Sequence, residues 1–437
     1  MKLHIEKIVY GGNGLAHPDG GEFGGMAVFV PFTLPGETVE ANVSDSKSRF
    51  AEATLDRVLE PSADRMEPRC AHFGTCGGCQ YQHASYPAQI EIKRAILQET
   101  LGRAGLASQT EISVHSGEPW EYRNRIRLRI AEIDGKLCAG YLRRGSSDFL
   151  PVQMCPIAAP ILWRAVNVML NLGGDAAHLV RSAEEIELFT IPDQSKVQVT
   201  LFVSKEPHVK FSTFCEALHE ALPELAGAGV ALIEHQSRGR KTQRVRAGAS
   251  WGADGLSYTV GEESYWVSRG GFFQINRTLL DEFVELVTGQ RRGELAWDLY
   301  AGVGLFSRVL AKSFKDVVAV EAAAGDLVRS FRGKGRRAVE ATTVEFLRKA
   351  ALERDRPELV IMDPPRAGVG AEVCTLLARV QPEEIVYVSC DPVTLGRDLR
   401  VMVDSGYKLH ELHMVDMFPQ TFHQETVAVL RHAKKQN

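Results

Sequence analysis

The chain has 437 residues, 44% hydrophobic and 24% charged, with a formal net charge of -4. That length is too great for one core and provides for two to four domains of ordinary globular composition. The charge excludes a generally basic nucleic-acid coat but leaves room for local basic patches. The first residues, "MKLHIEKIVYGGNGLAH", show no apolar signal segment, and no stretch reaches the ~18 apolar residues of a membrane helix. A cytoplasmic protein is expected, in which eight cysteines point to metal or catalysis before disulfides.

Residues 1–60 alternate short apolar runs with Gly and Pro turns, as in "GMAVFVPFTLPGETVEANV", and predict a small β-barrel. A polar linker, "EPSADRMEPRC", opens a second region, 61–255, expected to be α+β. Its start places Cys70, Cys76 and Cys79 as C-x5-C-x2-C among glycines. Cys155 precedes Pro156, a pairing that recurs at cluster ligands, and is the expected fourth thiolate; His72 or His83 is the alternative. Zinc sites usually pair two short Cys knuckles, and the second is absent here, so the pattern favours a [4Fe-4S] cluster over zinc. A radical S-adenosylmethionine enzyme uses three cysteines at a different spacing, and the x5 gap and fourth Cys count against it. A helix is expected over about 87–104.

Two basic runs follow. In "EYRNRIRLRI", Arg123, Arg125, Arg127 and Arg129 alternate with aliphatics and would share one face of a strand. "SRGRKTQRVR" adds Arg238, Arg240, Lys241, Arg244 and Arg246 in an expected hairpin. Together the runs favour a polyanionic partner over a solvated face.

From 256 to 437 strands alternate with helices, the pattern of a doubly wound α/β sheet. "ELAWDLYAGVGLFS" ends a strand at Asp298 before a glycine turn, and "DVVAVE" ends the next at Glu321, suited to ribose hydroxyls. "ELVIMDPPRAGVG" ends at Asp363-Pro364-Pro365, resembling the signature beside the methyl donor in methyltransferases acting on bases. "IVYVSCDPVTLGRDL" puts Cys390 at the following strand tip. Uracil C5 is too electron-poor to take a methyl group unaided. Thiolate addition at C6 makes an enolate that can, and a base must later remove the C5 proton. "DMFPQTFHQETVAVL" offers Glu425, with His423 and Asp416 nearby.

These motifs, with "FFQIN", resemble the RNA 5-methyluridine (uracil-C5) methyltransferases. "GGNGLAH", "VPFTLPGE" and the cysteines resemble the branch with a TRAM domain and an iron–sulfur cluster. The resemblance implies a Rossmann-like class I methyltransferase domain, an N-terminal TRAM or OB-like barrel, and a cluster-bearing central domain. It implies Cys390 as nucleophile and Glu425 as base. It implies Gln274, Tyr300, Glu321 and Asp363 as S-adenosylmethionine contacts, and Cys70, Cys76, Cys79 and Cys155 as cluster ligands. Asp391 stands where Asn is common, Leu305 where a small polar residue is, and Thr342-Thr343 where an adenine contact is. The implied partner is RNA, ribosomal before transfer RNA, with neither membrane nor obligate protein partner. A non-catalytic RNA-binding protein on the same fold is the competing reading, and intact Cys390 and Glu425 speak against it.

Overall fold

A computed structural model describes residues 1–106, 110–206, 210–234 and 244–433. The N-terminal strands form one six-stranded sheet whose two ends are both supplied by the segment 2–8. The Ile5 amide donates to Glu37 and the Glu6 amide to Leu15, so that segment closes the sheet into a barrel. Alternation is the cause: along Asn13–Ala16 and Ala27–Pro31 every second side chain is buried. Leu3, Ile5, Val28, Val30 and Val39 fill the interior.

The middle of the chain builds a seven-stranded sheet from Arg125–Ile133, Lys136–Leu142, Phe149–Pro151, Glu185–Thr190, Val197–Val203, Leu225–Glu234 and Arg244–Gly252. Helices Pro160–Leu170, Gly174–Ser182 and Phe211–Ala221 pack against it around a single core. The arms of the expected basic hairpin pair antiparallel. Arg238, Arg240 and Lys241 lie outside the described residues, and Arg246 pairs with Glu206 at 3.2 Å.

The arginine ladder departs from expectation. Arg123 precedes the strand, which begins at Arg125. The antiparallel neighbour brings Glu187 opposite Arg127 and Glu185 opposite Arg129. Arg125 reaches Glu187 at 3.5 Å, while Arg127 and Arg129 reach Glu185 at 2.5 and 3.7 Å. Arg125 and Arg127 also lie over the rings of Phe189 and Phe202, 4.5 and 3.9 Å from their centroids. Two carboxylates thus offset much of the charge of these three arginines within the chain. Arg127→Ala should lower the melting temperature by roughly 2 °C, as loss of a half-exposed pair and a ring contact implies. RNA affinity and its salt dependence, read by filter binding, should stay within about twofold.

The C-terminal part is an eight-stranded sheet. Four parallel neighbours, Arg336–Glu340, Phe314–Glu321, Gly293–Leu299 and Leu359–Met362, run into Glu384–Ser389. Glu425–His432 and Tyr407–Val415 then follow antiparallel. The far edge is Ile112–His115, parallel to Leu412–Val415. This redraws the boundary expected at 61–255. Helix Tyr86–Arg103 buries Leu97 and Leu101 in the same core as Trp297, Tyr387 and Leu399. Helix Tyr86–Arg103 and strand Ile112–His115 thus go with the third sheet although they precede the second in sequence. Among the described residues no helix is long and apolar enough to cross a membrane.

Candidate active site

The strand register gathers the expected site residues at one end of the third sheet. Leu299 pairs with both Val320 and Met362, so Tyr300, Glu321 and Asp363 leave adjacent strand ends together. Ser389 pairs with Thr426 across antiparallel strands, which sets Cys390 and Glu425 on neighbouring strands one step beyond that pair. Ligands bind outside the carboxyl ends of such strands.

Tyr300 turns the chain in the left-handed region, at φ 64. Gly302, at φ 56, has open space where a side chain would stand, so a ligand can approach its backbone. Glu321 is held across that loop, accepting from the Gly302 amide at 2.9 Å and the Ala323 amide at 3.2 Å. Gln274 is buried and donates to Asp363 Oδ2 at 3.1 Å. Its neighbours divide: Phe273 packs against Tyr258 and Tyr265, whereas Phe272 is 73% exposed. Leu305 is core, and Thr342 caps a helix with Glu345, in line with neither touching a ligand through its side chain. The open glycine turn, the paired acid at the next strand end and the buried Asp363–Gln274 pair fit a nucleoside with a cationic tail.

The acids are buried side by side. Burial first, then the Asp298 charge, pushes Asp363 up to about 7, against the Gln274 hydrogen bond. Asp298 is fully buried and also pushed up to about 7 by burial, although Ser307 donates to it from backbone and hydroxyl. Burial and then Asp363 hold Glu425 well above the usual carboxylate range, with Arg366 opposing. Glu425 is 4% exposed, and its Oε2 is buried without a hydrogen-bond partner. Burial, then the Glu425 charge, pushes the Cys390 thiol up to about 12; Arg366 pulls it down and Asp363 adds to the rise.

A raised carboxyl has a definite sign in stability. Asp298 ionises near 4 in the unfolded chain and near 7 in the folded one, so the folded state holds the extra proton between those values. Its contribution is present below about pH 4 and is lost as pH rises through 7. Asp298→Asn keeps an acceptor for Ser307. It should raise the melting temperature of the ligand-free protein at pH 8 by several degrees more than at pH 5, as scanning calorimetry would read. Equal shifts at both values would contradict the assignment.

The loop before Glu425 is braced from afar. Lys93, fully buried, donates to Asp416 Oδ1 at 2.6 Å and to the Phe418 carbonyl at 3.1 Å, and Tyr86 donates to Asp416 Oδ2 at 2.9 Å. Asp416 is thereby occupied as a structural anchor. His423 lies 3.1 Å from Arg366 Nη2, and burial and that guanidinium push it down to about 4. Its ring is neutral and reluctant to accept a proton. Arg366 and Lys93 were not singled out in the sequence as site residues; the Arg after Asp-Pro-Pro was the only available signal, and a lysine in a helix gives none.

Cys70, Cys76, Cys79 and Cys155 line one cavity of about 360 Å3, with His72 on its wall. His83 does not line it; the ring contacts the Thr33 carbonyl at 3.3 Å and packs on Phe73. Cys138 stands apart, its thiol near the Lys136 carbonyl. Among the described residues no three His, Cys, Asp or Glu side chains meet closely enough to bind one metal ion. The four thiols therefore surround a space rather than converge on a point. A larger cavity of about 690 Å3, lined by Arg69, Trp163 and Arg164, touches Cys155 but includes neither Cys390 nor the acids. The candidate site is therefore at the strand ends, where Cys390 and the buried acids converge.

The family model described as tRNA (uracil-5-)-methyltransferase matches residues 85–331 and 336–433, and that of the TRAM domain matches 1–55. A relative in Shewanella amazonensis, named a 23S rRNA (uracil(1939)-C(5))-methyltransferase, is 31% identical over 98% of this chain and 95% of its own. An uncharacterized RNA methyltransferase of Halalkalibacterium halodurans is 30% identical over 98% of this chain and 96% of its own. Among solved structures, a Pyrococcus abyssi tRNA (uracil-54, C5)-methyltransferase in complex with S-adenosyl-L-homocysteine matches with TM-score 0.75. It is 24% identical and covers 98% of this chain and 99% of its own, a likeness of fold.

Proposed function

The chain belongs to the tRNA (uracil-5-)-methyltransferase family and is an S-adenosylmethionine-dependent RNA methyltransferase acting on uracil; from that premise we propose how its residues carry the reaction and on which RNA. Cys390 gives up its thiol proton to solvent and the thiolate Sγ adds to C6 of a uridine, leaving an enolate whose C5 is the nucleophile. S-adenosylmethionine supplies the methyl group, and its sulfonium charge opposes the carboxylate field that holds the thiol up. Glu425 then takes the C5 proton, the S–C6 bond breaks, and 5-methyluridine leaves. The carrying observation is the register that sets Cys390 beside Glu425, with Glu425 Oε2 buried and unpaired. A carboxyl raised toward the working pH is the stronger base once ionised. His423, lowered beside Arg366, is a poor substitute.

Gln274, Tyr300, Glu321 and Asp363 would hold the methyl donor. The barrel would grip phosphates without reading sequence, and the uridine would leave its stack to expose C6. The 31% identity to a relative named for 23S rRNA supports ribosomal RNA as the substrate. Mapping 5-methyluridine by mass spectrometry in RNA from a deletion strain tests this. Loss at one ribosomal position is expected, and loss only in transfer RNA would move the substrate there.

A [4Fe-4S] cluster on Cys70, Cys76, Cys79 and Cys155 is the second part of the reading. Four thiols around one cavity suit a group of several atoms, and the burial that raises Cys76, Cys79 and Cys155 is offset when metal displaces their protons to solvent and pairs with the thiolates. Anaerobically purified protein should be brown, with iron and sulfide in equal amounts. Chelation in air should bleach it and lower the melting temperature by more than about 5 °C, because Gln80 and Tyr81, next to Cys79, donate their amides to Gln420 in the braced loop. Colourless protein with one zinc per chain would end the claim.

A further inference from the structure

The tip of the barrel reaches the nucleophile. The hydroxyl of Tyr10 donates to Asp391 Oδ2 at 2.9 Å, joining residues 381 positions apart. Asp391 follows Cys390 directly, and its other oxygen accepts from the Val393 and Thr394 amides at 3.0 and 2.9 Å, capping helix Pro392–Asp404. The Tyr10 ring meets Phe422 edge-on at 5.4 Å, and Phe422 lies 3.9 Å from His423. Two glycines follow Tyr10. A Cβ at Gly12 would stand 3.0 Å from Gln80 Cβ, a crowded approach, and its φ of 89 also favours glycine where the tip seats. Tyr10 takes no part in the barrel's own core; it packs against the cluster that holds Tyr81 and Ile92. Its placement serves the neighbouring domain rather than the barrel.

We propose that Tyr10 is a positioning residue for the nucleophile: its hydroxyl, delivered by the barrel, holds Asp391 and through it the turn and the charge beside Cys390. Burial and the Asp391 charge keep the phenol protonated, so it remains a donor at working pH. Without it, Asp391 Oδ2 loses its donor and only the helix amides temper the charge next to a thiol already facing Glu425 and Asp363, with Arg366 as the opposing cation. Position 391 is Asp here, where an Asn would cap the helix equally well, and a phenolic donor is the partner an Asp requires. A domain that grips RNA thus also completes the reacting end of the sheet.

The inference rests on Cys390 being the nucleophile, but its test reads the thiol alone, without RNA or methyl donor, so either can fail without the other. Full-length protein is treated with iodoacetamide across pH 6–11, the rising limb of the thiol's titration, and alkylation of the Cys390 peptide is followed by mass spectrometry. Tyr10→Phe keeps the ring against Phe422 and removes the donor. The Cys390 profile should move up by about half a unit to one unit, with alkylation at pH 8 about 3- to 10-fold slower. Asp391→Asn keeps the cap and removes the charge, so its profile should move down. Tyr10→Phe/Asp391→Asn should match Asp391→Asn. In methyl transfer, Tyr10→Phe should lower kcat about 10-fold with KM for RNA within twofold. An unchanged Cys390 profile in Tyr10→Phe would overturn the proposal, as would a shift that persists in the double variant. So would a raised KM with kcat intact, which would make Tyr10 an RNA contact. Should Tyr10→Phe melt early, Asp391→Asn decides alone: no downward shift refutes the coupling.

Discussion

Cys390→Ala will abolish both methylation and covalent attachment to RNA. Every later step depends on the enolate that addition at C6 creates, so no partial activity survives through the same route. Removing a nucleophile of this kind lowers turnover by about 10^4-fold or more. The substitution itself is small and the site half-buried, so the fold should persist. RNA binding should remain, because the barrel and not the thiol is expected to grip phosphates. A variant that still methylates uridine at a tenth of the normal rate would remove Cys390 from the mechanism.

Glu425→Gln should fail at the opposite end of the reaction. Addition and methyl transfer need no proton acceptor at C5, so they can proceed. The C5 proton then stays, elimination stalls, and the enzyme remains bonded to methylated RNA. A complex that survives denaturing electrophoresis and carries label from the methyl donor is expected, with turnover reduced about 10^2- to 10^4-fold. Stability distinguishes this from damage. Glu425 is raised by burial and by the neighbouring Asp363 charge, so a neutral amide relieves repulsion and should not lower the melting temperature at pH 8. Rapid turnover without a trapped species would assign the proton to another group, in the first place His423.

The site was largely legible because each of its strands is a short apolar run that ends on the functional residue. Tyr300, Glu321, Asp363 and Cys390 all stand at or just past the ends of such runs, and a parallel sheet aligns those ends without further information. What the sequence hid is long-range pairing. Tyr10 and Asp391 are separated by most of the chain, and Lys93 meets Asp416 across 323 positions. Helix Tyr86–Arg103 buries one face, Gln89, Ile92, Lys93, Ile96, Leu97 and Leu101, but a polar amide and a lysine within that face left its pattern silent on which core it would join. The ion pairs of the arginine ladder were equally hidden, because Arg127 meets Glu185 58 residues on. The signal was present, since Glu185 and Glu187 alternate with Ile186 and Leu188 at the same period of two.

Wild-type enzyme reacted with S-adenosylmethionine and RNA bearing 5-fluorouridine tests the central claim most directly. Fluorine at C5 cannot leave as a proton does, so the adduct formed by a C6 nucleophile cannot collapse. After nuclease and protease digestion, mass spectrometry should find the peptide containing Cys390 carrying a methylated fluorouridine nucleotide, at close to one per chain. Methyl transfer to unsubstituted RNA with no adduct on Cys390 from the fluorinated substrate would contradict the account.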